Sequence, residues 1–107
     1  MKIQVLAIGK PKLPYAAAGI EEYDRRLQRY ASVTLEYLRA RDESPSLLAR
    51  SRESYRIALD ERGSQLTTLS VSERITRLED RPDIKKVSFL IGGSDGHSSE
   101  LRDCCDE

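Results

Sequence analysis

The chain has 107 residues, enough for one compact domain around one modest core. Charged residues make up 34% and hydrophobic residues 38%, and eighteen basic side chains balance eighteen acidic ones. That composition excludes a disordered polar chain, and it excludes a global positive field for nucleic acid. Any such contact must come from local patches. No stretch approaches the roughly 18 apolar residues of a membrane helix.

Lys2 to Ile8 is short and rich in aliphatic residues (Ile3, Val5, Leu6, Ile8), and Gly9 closes it. It reads as a buried strand and not as a signal peptide, so the expected compartment is the cytoplasm. Pro11 and Pro14 interrupt the chain. From Tyr15 to Tyr30 the period becomes helical: Ile20, Tyr23, Leu27 and Tyr30 fall on one face. Glu21–Arg25 and Glu22–Arg26 are expected as pairs four residues apart on the outer face.

Val33 to Leu38 reads as a second strand, and Asp42 to Ser46, with Pro45, as a polar turn. Leu47 to Arg52 is expected to form one or two helical turns. Tyr55 to Asp60 is a third strand, ended by Arg62-Gly63. Ser70-Val-Ser-Glu73 has the form of a capping box, and Val71, Ile75 and Leu78 follow at helical spacing until Pro82. Val87 to Ile91 is expected as a fourth strand, buried on both faces. Gly92-Gly-Ser-Asp-Gly96 turns the chain, and Ser98 or Ser99 caps a final helix from Glu100 to Asp106. Strands alternating with helices in this way predict an α/β fold with a mostly parallel sheet and right-handed crossovers.

Two strand ends stand out. Phe89-Leu-Ile-Gly-Gly-Ser-Asp-Gly96 places a glycine turn where open α/β sheets bind ligands. Glycines let a ligand approach the backbone. The bland alternative is a tight strand-to-helix turn. Ile57-Ala-Leu-Asp-Glu-Arg-Gly63 is the second strand end. There Asp60 either meets a ribose hydroxyl or is a solvated carboxylate, and the latter is the commoner case. Arg25, Arg26 and Arg29, with Arg39 and Arg41, are either phosphate contacts or a self-paired solvated face. His97, the only histidine, has no nucleophile at recognisable spacing and is expected on a surface loop rather than as a general base. Cys104 and Cys105 are adjacent and lack metal-site spacing, so free thiols are expected and no metal.

Together these segments resemble a known family. Met1-Lys-Ile-Gln-Val-Leu-Ala-Ile-Gly-Lys10 is similar to its first strand, and Gly19-Ile-Glu-Glu-Tyr-Asp-Arg-Arg-Leu27 to its first helix. Ile57 to Gly63 is similar to its third strand and loop, and Phe89 to His97 to its glycine turn. The resemblance weakens between Arg39 and Ser54. The family is the bacterial large-subunit ribosomal RNA methyltransferase H, a SPOUT class of α/β-knot enzymes. The resemblance implies S-adenosylmethionine as cofactor, a pseudouridine N3 of 23S ribosomal RNA in the large ribosomal subunit as acceptor, and a homodimer. It implies Leu59 and Gly92 as cofactor contacts, with Gly93 shaping the same turn.

The family's knot loop, interface helix and substrate-reaching tail follow the glycine turn, and their motifs are not among these 107 residues. The expectation is therefore a single SPOUT-like domain over residues 1–107 that is C-terminally incomplete, with no catalytic residue assigned. Two other readings stand beside it: a non-catalytic α/β module that self-associates, and an unrelated small nucleotide-binding protein.

Overall fold

The computed structural model describes residues 1–9, 13–39, 43–60, 63–93 and 96–107. Pro11, Arg41, Asp42, Arg62, Ser94 and Asp95, which the sequence reading touched, lie outside the described residues. The short aliphatic runs form strands β1 (Lys2–Ile8), β2 (Ser32–Leu38), β3 (Tyr55–Leu59) and β4 (Lys86–Ile91). The helically spaced segments form α1 (Pro14–Leu27), α2 (Glu43–Arg50), α3 (Thr68–Glu79) and α4 (Ser99–Asp103). The strands make one four-stranded sheet in the order β2-β1-β4-β3, and every pair is parallel.

The register divides the side chains between two faces. Leu6 stands level with Leu90, and Leu90 with Ala58. On that face Leu6 and Leu90 meet Leu47 of α2 and Leu101 of α4, all four fully buried. On the opposite face Val5, Phe89 and Ile57 are level, and α3 lies over this side. The core is denser under α2 and α4: Leu90 is fully buried, whereas Phe89 is only half-buried. The expectation that β4 is buried on both faces is thus met on one of them, and on the other at Val87, which is fully buried, before that face opens toward Ile91.

Element ends show what the local sequence does. Gly9 ends β1 at φ +79°, a conformation open to glycine, while its N–H still donates to the Leu38 carbonyl at 2.8 Å. Pro14 opens α1, at a position where its missing N–H costs nothing. Helix α3 begins earlier than Ser70. Thr67 is its cap, and its hydroxyl oxygen accepts the Ser70 N–H at 3.1 Å. The capping-box pattern picked a serine already inside the first turn. The final helix is shorter than expected and is capped by Ser98, which accepts the Leu101 N–H at 3.2 Å.

Helix α1 departs most from expectation. Its apolar face does not enter the core: Ile20 is 37% exposed, Tyr23 66%, Leu27 46%, and Tyr30, past the helix end, 85%. No residue of α1 is buried. Periodicity shows that a face is apolar, not that its partner belongs to the same sheet. On the outer face the expected Glu22–Arg26 pair forms, and only the partner of Arg25 differs. Glu22 takes both Arg25 and Arg26, the latter at 3.0 Å, in place of Glu21–Arg25.

The outer edge of β3 is met by the chain's last residues. The Asp106 and Glu107 N–H groups donate to the Arg56 carbonyl, and the Ala58 N–H donates to the Glu107 carbonyl at 2.9 Å. This is the bonding pattern of a parallel rung opposite Ile57. Arg56 itself ties the region together. Its guanidinium donates to Ser51 Oγ at 2.8 Å, to the Leu48 carbonyl at 3.0 Å and to the Cys104 carbonyl at 3.4 Å.

Candidate functional site at the carboxyl edge of the sheet

In a parallel sheet all carboxyl ends point the same way, so the loops that follow them share one edge. Here Leu59 pairs with Ile91, which brings the ends of β3 and β4 level. The next residues are Asp60 on one strand and Gly92 on the other. The two strand ends singled out in the sequence are therefore neighbours.

Leu59 and Ile91 point to the α3 face, and both are unusually open for aliphatic side chains, 49% and 38% exposed. Beside Leu59 a cleft of about 610 Å³ runs between β3 and α3, walled by Ile57, Leu59, Phe89, Val71 and Ile75. Arg74 and Glu107 also line it and are ion-paired with each other. The cleft is mostly apolar with charged groups at one side, the usual character of a site for a flat organic ligand. Sequence reasoning named Leu59 but missed Ile57, Phe89, Val71 and Ile75. Their alternation and helical spacing were visible, but such residues read as core.

Gly92 and Gly93 are half-buried beside this edge and are not part of the cleft wall. The Gly96 N–H donates to the Gly93 carbonyl at 3.0 Å, and Gly96 sits at φ +74°. Asp60 is not a solvated carboxylate. Its side chain is 10% exposed and lies 3.9 Å from the Arg102 guanidinium, on the α4 side of β3. A strand-end aspartate looks solvated in sequence because its cationic partner is 42 positions away. His97 is likewise not a surface residue. It is 7% exposed, and its Nε2 lies 2.9 Å from the Leu90 carbonyl oxygen.

The arginines are placed elsewhere. Arg25 and Arg26 are held by Glu22, and Arg26 lies over the Tyr23 ring at 5.9 Å. Arg39 is exposed beyond the end of β2. None of Arg25, Arg26, Arg29 and Arg39 joins the carboxyl-edge cleft. Cys104 is exposed and Cys105 half-buried, both as free thiols. Burial pushes the Cys105 thiol up, and its sulfur lies 3.3 Å from the Leu101 carbonyl. Among the described residues, no group of three or more His, Cys, Asp or Glu is gathered as for a metal ion. No helix of the described residues is long and apolar enough to cross a membrane.

At the opposite, amino edge, Tyr55 donates its hydroxyl to Glu107 Oε2 at 2.8 Å. Burial first, and the Glu107 carboxylate second, push its pKa up to about 12. This is a structural tie of the tail to β3, away from the glycine turn.

An all-parallel α/β domain with an apolar cleft and a glycine turn at one carboxyl edge is the architecture of a protein that binds an organic cofactor or nucleotide. A family model described as "Predicted SPOUT methyltransferase" matches residues 1–107. The ribosomal RNA large subunit methyltransferase H of Thermus thermophilus is 39% identical over 106 residues, which cover 99% of this chain and 72% of that protein. The protein of the same name from Deinococcus radiodurans is 35% identical, covering 95% of this chain and 71% of its own length. That from Anaeromyxobacter sp. is 37% identical, covering 100% and 76%. The chain belongs to the SPOUT methyltransferase family.

Proposed function

We propose that this chain is an S-adenosylmethionine-dependent methyltransferase domain that acts on ribosomal RNA, with a pseudouridine N3 of the large-subunit RNA as acceptor. The observation that carries the reading is the level pairing of Leu59 with Ile91. It sets an exposed apolar wall beside a glycine turn at one edge of the sheet. The residues fit such a cofactor in kind. Leu59 offers an apolar surface for the adenine, and the Gly92 and Gly93 backbone offers polar groups that no side chain obstructs. When bound, the cofactor supplies an electrophilic methyl group. The chain's own part is to orient it and to exclude water from the apolar cleft. Residues 1–107 act as a single cytoplasmic domain in this reading, and no catalytic base is assigned within them.

The proposal includes a homodimer. The open apolar face of α1 supports it, because Ile20, Tyr23 and Leu27 form a stripe too exposed for an isolated helix. A two-fold interface that sets this stripe against its own copy would cover it.

Calorimetric titration with S-adenosylhomocysteine tests the cofactor reading, with saturable micromolar-range binding expected. A folded chain that gives no heat would sink it. Saturable binding of a nucleoside triphosphate instead would give the cleft a different class of ligand. Transfer of labelled methyl to ribosomal subunits tests the substrate.

A further inference from the structure

We propose that His97 is a positioning residue: its buried imidazole pins the end of the glycine turn to β4 and so fixes where the Gly92 and Gly93 backbone stands. The inference rests on the reading of this edge as a cofactor site and adds a residue to it.

Among the described residues the ring makes one bond. Nε2 lies 2.9 Å from the Leu90 carbonyl oxygen, which can only accept, so Nε2 carries the proton. Nδ1 is then a bare lone pair, buried and without a hydrogen-bond partner among the described residues. Burying a polar atom in that state is unfavourable, and an aliphatic side chain would fill the same space without it. What the imidazole adds over such a side chain is the bond to Leu90.

That bond has a specific effect on the backbone. Leu90 is anchored, since its side chain is fully buried in the core. Ile91, Gly92 and Gly93 lie between the two ends of the bond. Glycine imposes little conformational preference of its own, so a turn containing Gly92, Gly93 and Gly96 must be held from outside. Among the described residues, two contacts help to hold it. The Gly96 N–H bonds to the Gly93 carbonyl within the turn, and His97 bonds to the strand behind it. Ser98 then caps α4, whose Leu101 is fully buried, so the residues after the pin are fixed as well. The pin lies in the interior, so it stiffens the backbone without placing a side chain where the ligand binds.

The test compares the intact protein with His97→Gln, which keeps a donor at similar reach, and His97→Leu, which keeps bulk alone. S-adenosylhomocysteine calorimetry, amide exchange at Gly93 and Gly96, and thermal unfolding are measured on all three. His97→Leu is expected to bind about tenfold more weakly, the loss of one buried hydrogen bond, and to exchange faster at both amides. His97→Gln is expected to recover most of the affinity. The imidazole nitrogen spectrum of the unaltered protein should show a protonated Nε2 and a bare Nδ1. The reverse tautomer overturns the proposal. So does a His97→Leu protein with unchanged affinity and exchange, or a loss of affinity that follows thermal stability equally in both variants. If the unaltered protein binds no S-adenosylhomocysteine, the cofactor reading falls by itself. The exchange measurement then still decides: faster exchange in His97→Leu keeps the pin, and unchanged exchange removes it.

Discussion

Leu101→Ala should destabilise this protein far more than its place in a five-residue helix suggests. A helix of that length has no stability of its own, so its docking decides whether it forms. The docking depends on Leu101, which is fully buried against Leu6, Leu47 and Leu90. Truncation to alanine removes most of that side chain from a core that cannot collapse around a rigid parallel sheet. The cost is about 3 kcal/mol, within the range for buried leucines. For a chain of this size that corresponds to a fall of roughly 12 °C in Tm. The damage should also have an address. The Ser98 cap, the helix and the rung at β3 follow one another in sequence, so amides from Leu101 to Glu107 should lose exchange protection before those of β1 or β4. Urea unfolding gives the magnitude, and hydrogen exchange gives the location. A loss below about 1 kcal/mol would refute the reasoning, because it would place Leu101 outside the cooperative core.

Other outcomes follow from particular contacts. Thr67→Ala should cost about 1 kcal/mol in urea unfolding, because it removes the α3 cap, while Ser70→Ala should cost little. Arg56→Met should cost about 2 kcal/mol by the same assay, as the Leu48 carbonyl and Ser51 lose a charged donor. An ultraviolet titration should show a tyrosine component near pH 12, and Tyr55→Phe should abolish that late component. Its folded pKa lies above the unfolded value, so its contribution to stability is complete below pH about 10 and is lost as the pH rises through about 12. Tyr23→Glu on α1 should leave the circular dichroism spectrum intact and shift a dimer toward monomer in analytical ultracentrifugation. A monomeric unaltered protein would refute that.

Strand identity was legible because aliphatic runs such as Val87 to Ile91 leave few alternatives, and glycines closed them. The alternation of strands and helices pointed to parallel pairing, and every pair is parallel. The order β2-β1-β4-β3 was not legible, because nothing local in a strand states its neighbours. Leu59 and Gly92 were read from a resemblance, and the register brings their strand ends together. His97 and Asp60 were misread for a common reason. Each is a polar residue whose burial depends on a partner supplied by another segment, the Leu90 carbonyl for one and Arg102 for the other. The α1 stripe was read correctly as one apolar face, but what covers it was not legible, since amphipathicity records a preference and not its fulfilment.

The parallel rung between Glu107 and β3 also bears on how this protein should be handled. Met1 precedes β1, so a tag fused there stands off the amino edge of the sheet. Whatever is joined directly after Glu107 starts beside Ala58 and is led along β3 toward Leu59 and the glycine turn. An affinity handle or fluorophore at that end would crowd the very edge whose ligand is to be measured. Labels for binding work therefore belong at the amino terminus.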